Sequence, residues 1–238
     1  MPIPEAPLST LDFAPPRGTA LRPLFGLRLL LVEDSRFAAD AVRLMSQKSG
    51  ARLRRADCLA AAHRHLAAYR PDIVIVDMGL PDGSGAELIG ELATAEPQIP
   101  AILGLSGDPW FEDLAIAAGA QGFLTKPLES IAVFQSEILE ALPRQMQPVG
   151  PRLLPQADIC PDPLALHEDL SHAENLLADG DDPGLFAYLV QFLGGIATSL
   201  DDTELGAAAL ALSRREEGAV DRLRAVIRDR QDRVVAMA

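Results

Sequence analysis

Five residues could together do chemistry on a phosphoryl group: Glu33, Asp34, Asp77, Ser106 and Lys126. Neighbouring carboxylates repel one another and need a counter-charge at neutral pH. A hard divalent cation with oxygen ligands, such as Mg²⁺, supplies one. Lysine offers a compact positive charge suited to a phosphate oxygen, and a serine hydroxyl can donate to another. An aspartate in that company is equipped to attack a phosphoryl donor and carry the group as an acyl phosphate. Taken singly, each residue has a plain alternative. Asp77 could be a helix cap or a surface acid, Glu33-Asp34 could be favourable charges at a helix N-terminus, and Lys126 before Pro127 could be a loop lysine. The set means something only if the fold gathers it.

The elements that would gather it are legible as alternating patterns. LRLLLV (27–32), DIVIVD (72–77), PAILGLS (100–106) and QGFLT (121–125) are short apolar runs of the kind buried parallel strands require. ARLRRAD (51–57) alternates like an edge strand. Between them lie helical stretches: one after Ser35, a candidate cap, with Phe37, Val42, Leu44 and Met45 near one face; an Ala-rich one at 58–69; and further ones at 86–95, 109–118 and 128–142. GLPDGSG (79–85) is turn chemistry. Five β–α units predict an α/β fold, a five-stranded doubly wound parallel sheet with helices on both faces. In such sheets ligands sit beyond the carboxyl ends of the strands. Glu33-Asp34, Asp77, Ser106 and Lys126 all fall there.

The blocks LLLVEDS, DIVIVDMGLPDGSGAEL, ILGLSG and GFLTKP, in that order, resemble the signature blocks of the two-component response-regulator receiver family, whose sheet is flavodoxin-like. The spacings agree with it: 43 positions from Asp34 to Asp77, 29 to Ser106 and 20 more to Lys126. The resemblance covers about half the chain. It implies that Asp77 is the phosphoacceptor, that Asp34 binds Mg²⁺ with help from Glu33 and the backbone carbonyl of Gly79, and that Ser106 and Lys126 contact the phosphoryl group. It also implies a cis Lys126–Pro127 bond and a switch made of Ser106 and Phe123, although core packing without any switch suits Phe123 as well. Its partner would be a sensor histidine kinase or phosphotransfer protein. The chain would be a phosphoacceptor that promotes its own Mg²⁺-dependent phosphorylation and dephosphorylation, not an enzyme acting on other substrates. Two departures matter. Gly79, two residues beyond Asp77, has no side chain to assist or block an attacking water, and Phe123 lacks a hydroxyl.

The 238-residue chain has room for more than this domain. Prolines crowd residues 1–25, predicted as a flexible tail, and 143–163, predicted as a linker after a domain at 26–142. Residues 164–238 read as a smaller all-α domain for output or dimerisation: a helix from Asp162-Pro163, an apolar segment at 185–200 interrupted by Gly194-Gly195, a stretch capped by Asp201 or Asp202, and a charged last helix with Val220, Leu223, Ile227 and Val234 near one face. That stripe could pair with its copy in a homodimer or pack within its own bundle. From residue 151 on there are eight arginines, no lysines and sixteen acids. The net charge of the whole chain is −13. Such a balance argues against a DNA-binding regulator, which needs a basic surface. His167 and His172 raise the alternative of a phosphorelay intermediate with a degenerate histidine-phosphotransfer domain, but acids beside both would repel an acyl phosphate. They, like His63 and His65, read as surface or packing residues. Two cysteines, no apolar run of membrane-spanning length and no secretory signal fit a cytoplasmic protein.

Overall fold

The computed structural model describes residues 18–128, 130–151, 153, 159–179 and 183–237. Five parallel strands form the central sheet: β1 (Arg28–Val32), β2 (Arg52–Ala56), β3 (Ile73–Asp77), β6 (Ala101–Ser106) and β7 (Gly122–Thr125), in the order β2-β1-β3-β6-β7. The first crossover runs one way from β1 and the later ones run the other way, so the order reverses at β1 and β3. The ends of β1 and β3 flank that crevice, and Val32 pairs with Val76 across it. The turn chemistry at 79–85 includes a small antiparallel ribbon, β4 (Gly79–Leu80) with β5 (Gly83–Ser84).

Successive strand side chains point to opposite faces, and both faces are covered. Leu29, Leu31, Ile73, Ile75 and Leu103 pack with Val42 and Met45 of α1 (Arg36–Ser49) and with Phe134 and Ile138 of α5 (Ile131–Ala141). Leu30, Val32, Val74, Val76 and Ile102 pack the other way, against α2 (Leu59–Ala68), α3 (Gly85–Thr94) and α4 (Trp110–Ala118). Full burial of both faces explains why β3 reads as an unbroken apolar run, whereas edge strand β2 alternates arginine with half-buried positions. Leu24 is fully buried in the first cluster, so the residues just before β1 belong to the core rather than to a loose tail. Residues 1–17, the rest of the predicted tail, lie outside the described residues.

The second half consists of α6 (Pro163–Asp179), α7 (Pro183–Leu200), α8 (Thr203–Ser213) and α9 (Ala219–Met237). Leu170, Leu189, Leu193, Leu205, Leu212, Leu223 and Ile227 close a separate core. One expectation is corrected: α7 runs through Gly194-Gly195 without interruption. Glycine costs a helix roughly 1 kcal/mol relative to alanine but does not break it, and Leu193, Ile196 and Ala197 around the pair are held by the bundle core. Asp202, rather than Asp201, caps α8, accepting from Leu205 N. The apolar stripe of α9 is taken up by its own bundle, with Leu223, Ile227 and Val234 buried. No described helix is long and apolar enough to cross a membrane.

The two halves dock through the start of α1. Its first backbone N–H groups have no partner within the helix. Buried Asp169 of α6 accepts from Arg36 N (2.9 Å) and Phe37 N (3.0 Å) and from the Ser35 hydroxyl (2.8 Å). Ser35 in turn caps Ala38 N, and Phe37 packs into the helical core. Replacing Asp169 by alanine strands these donors, so Asp169→Ala should destabilise the chain by about 3 kcal/mol. Thermal unfolding should show a lower midpoint, and limited proteolysis should cut faster between residues 147 and 162. An unchanged midpoint and cleavage rate would refute the docking role.

Candidate functional site

The carboxyl ends of the strands bring the five predicted residues together. Glu33 and Asp34 follow β1, Asp77 ends β3, Ser106 ends β6 and Lys126 follows β7. All five line one cavity of about 400 Å³. Lys126 Nζ lies 2.7 Å from Glu33 Oε2 and 3.3 Å from Asp77 Oδ2. The Lys126–Pro127 bond is cis. Ser106 is buried and its hydroxyl accepts from Asp108 N. The backbone N–H of Gly79 donates to Asp77. Arg55, on edge strand β2, donates to the backbone carbonyls of Glu33 and Asp34 and so fixes the turn that presents them.

Burial sets the electrostatics. Withdrawal from water, then the charges of Glu33 and Asp77, pushes the Asp34 carboxyl up to about 8. Withdrawal from water and Glu33 push Asp77 up to about 7, against the pull of Lys126. Burial disfavours the charge on Lys126, but Asp77 and Glu33 outweigh it and raise the ammonium above its ordinary value. Glu33, Asp34 and Asp77 each bring a carboxylate oxygen within 4.8 Å of the others. Three carboxylates against one ammonium make a set of hard oxygen donors with surplus negative charge, which suits a divalent cation such as Mg²⁺.

The helical half supplies part of the site. Tyr188 of α7 donates its hydroxyl to Asp34 Oδ2 (2.7 Å). Gln191, Gly194, Gly195 and Thr198 of α7 line the same cavity as Asp77. None of these was legible as a site residue. In the sequence they are polar or small residues within an apolar helix more than 100 positions away, and only the docking of α7 brings them here. Phe123 is buried beside Gly104, away from the cavity rim, where a Cβ on Gly104 would approach its ring to 2.8 Å. His167 and His172 are not among the residues around Asp77. They line a second cavity, which reaches Asp34 from the other side, and His172 packs edge-on against Phe192. His63 is exposed and pairs with Glu91.

Residues 29–136 match the response regulator receiver domain. The virulence transcriptional regulatory protein PhoP of Salmonella typhimurium is 30% identical over 102 residues, 42% of this chain and 46% of the relative. The KDP operon transcriptional regulatory protein KdpE of Escherichia coli is 31% identical over 145 residues, 60% of this chain and 59% of the relative. The chain thus spans about half the length of the curated relatives it matches. A putative response regulator from Chloroflexus aurantiacus, of known crystal structure, is 30% identical with a TM-score of 0.41, over 43% of this chain and 87% of that one.

The raised carboxyl of Asp77 gives a pH-dependent stability with a definite sign. The folded molecule holds this proton up to about pH 7, whereas the unfolded chain releases it near pH 4. The folded state therefore binds more protons across that window, and stability falls as pH rises through it. Asparagine mimics the protonated acid. In metal-free buffer at pH 8.5, Asp77→Asn should unfold several degrees above the wild type, and the difference should narrow steadily as pH falls, closing only below about pH 4, where both states hold the proton. A gap that stays constant across this range would contradict the assignment.

Proposed function

Because residues 29–136 are a response regulator receiver domain, we propose that the chain is a signalling protein phosphorylated on Asp77 by a histidine kinase or phosphotransfer protein, with output through its helical half. The observation that carries this reading is the constellation of buried Asp77, Lys126 and Glu33 with half-buried Asp34 at one rim, and Ser106 in the same cavity. A carboxylate oxygen of Asp77 bonds to the phosphorus of the donor as the donor's own bond to phosphorus breaks, its electron pair leaving with the donor's histidine nitrogen. Lys126 and the Gly79 N–H hold that carboxylate in place, and the Lys126 ammonium is placed to meet the charge of the arriving phosphoryl oxygens. The Ser106 hydroxyl is the donor on the β6 side. A divalent cation held by Asp34, Asp77 and Glu33, with the Gly79 carbonyl, would neutralise phosphoryl charge when bound.

Output follows from where the helical half sits. Tyr188 bonds Asp34 and α7 walls the cavity, so a phosphoryl group and its cation arrive against the helical half itself. Phosphorylation is then read as a change in that docking, which frees or reshapes a surface for a protein partner or a second copy. Ser106 and Phe123 are the candidate switch residues on the receiver side. The relatives' names suggest transcriptional control, but the sixteen acids and eight arginines from residue 151 on favour a protein contact over DNA.

Incubation of the full chain with Mg²⁺ and radiolabelled acetyl phosphate should give one acid-stable, alkali-labile label. Asp77→Ala should abolish it. Lys126→Ala should reduce its formation by about tenfold or more. Label retained by Asp77→Ala would show the site to be elsewhere, and alkali-stable label on the helical half would favour the relay through His167 or His172.

A further inference from the structure

The cavity above Asp77 has two walls. One is the strand rim. The other is a face of α7 made of Gln191, Gly194, Gly195 and Thr198. Gly194 and Gly195 leave their side of the cavity open, for a Cβ on either would meet nothing within 4 Å. Gln191 does the opposite. A Cβ on Gly79 would lie 1.9 Å from Gln191 Nε2, 2.0 Å from its Cδ and 2.5 Å from its Oε1. The amide of Gln191 therefore stands where a side chain at position 79 would stand. Position 79 is two residues beyond Asp77, and its N–H donates to the Asp77 carboxylate. The receiver loop has no side chain there, and the helical half inserts one.

A primary amide offers an acceptor oxygen and two donor hydrogens. Beside an acyl phosphate it can accept from a water while donating to a phosphoryl oxygen, the arrangement by which a glutamine orients the attacking water in nucleotide hydrolysis. It carries no charge to repel the phosphoryl group, unlike every carboxylate at the rim. Gln191 is exposed enough for water to reach it. We propose that Gln191 is a catalytic residue for hydrolysis of the Asp77 acyl phosphate, supplied by the helical half to a receiver that lacks a side chain at position 79. The inference rests on the reading of Asp77 as phosphoacceptor. In the step, the water oxygen bonds to phosphorus as the bond from phosphorus to the Asp77 carboxyl oxygen breaks. The electron pair of that bond stays on the carboxylate, and both water protons leave with the product as dihydrogen phosphate. Docking of α7 then sets the lifetime of the phosphorylated state, because an undocked helix carries its glutamine away.

Two substitutions separate this role from mere covering of the bond. Full-length wild type, Gln191→Ala and Gln191→Glu are labelled with acetyl phosphate and Mg²⁺, desalted rapidly, and followed for loss of label. A glutamine that only shields the acyl phosphate would, when cut back to alanine, let water in and speed the decay. A glutamine that orients water would, when lost, slow it. Gln191→Ala should still take up label on Asp77 and keep its helical circular dichroism, but lose that label about tenfold more slowly. Gln191→Glu, which keeps the shape and loses the donor, should also decay more slowly and serves alone if the alanine variant does not fold. Decay at or above the wild-type rate in the folded variants overturns the inference while leaving Asp77 as acceptor. A wild type that takes up no label overturns both.

Discussion

Three carboxylates and one ammonium are held largely out of water at the rim of a parallel sheet, Asp34 alone half-buried, and the arrangement of this molecule turns on that constraint. Glu33 and Asp77 share Lys126, while Asp34 accepts from the Ser35 N–H and the Tyr188 hydroxyl and keeps a raised proton affinity. Such a cluster is poorly stabilised by itself. Burial penalises each charge, and the carboxylates oppose one another. The fold tolerates it because the strands carrying these residues are locked by two apolar layers, one against α1 and α5 and one against α2 to α4. A site with surplus negative charge and protons held near neutrality is poised to exchange those protons for a cation, and then to accept a phosphoryl group.

The helical half meets this site at its most polarised point. The N-terminus of α1, directly after the acidic pair, exposes unpaired N–H groups, and Asp169 of α6 satisfies them. The same segment presents Asp34 to Tyr188 of α7. Docking of the second half and the charge state of the acid cluster are thereby joined through residues 33–37, which belong to the site on one side and to the interface on the other. The packing of half-buried Phe37 against the helical core ties the apolar contact to the same few residues.

Much of the first half was legible in the sequence because its code is local. Unbroken apolar runs mark strands buried on both faces, the Ser35 cap marks the start of α1, and acids at strand ends mark the rim. The misreadings were of another kind. Pro23 beside a proline-rich stretch suggested a loose tail, yet the next residue, Leu24, fills a slot in the core. Gly194-Gly195 suggested a break, yet α7 continues through the pair, with Leu193, Ile196 and Ala197 held in the bundle core. In each case a weak local preference was overridden by burial of the neighbouring apolar side chains.

By itself the sequence determined that a parallel α/β domain carries Glu33, Asp34, Asp77, Ser106 and Lys126 on one rim, since the strands and their carboxyl ends follow from short-range periodicity and β–α alternation. It also determined that an acidic helical segment follows. Only the tertiary structure decided that this segment lies across the rim, that Asp169 caps α1, and that Tyr188 and Gln191 enter the site. Those contacts join positions more than 100 residues apart and depend on the angle at which two separately packed cores meet. No spacing or periodicity in either half encodes that angle, because it is set by a few hydrogen bonds and one half-buried phenylalanine at the interface itself.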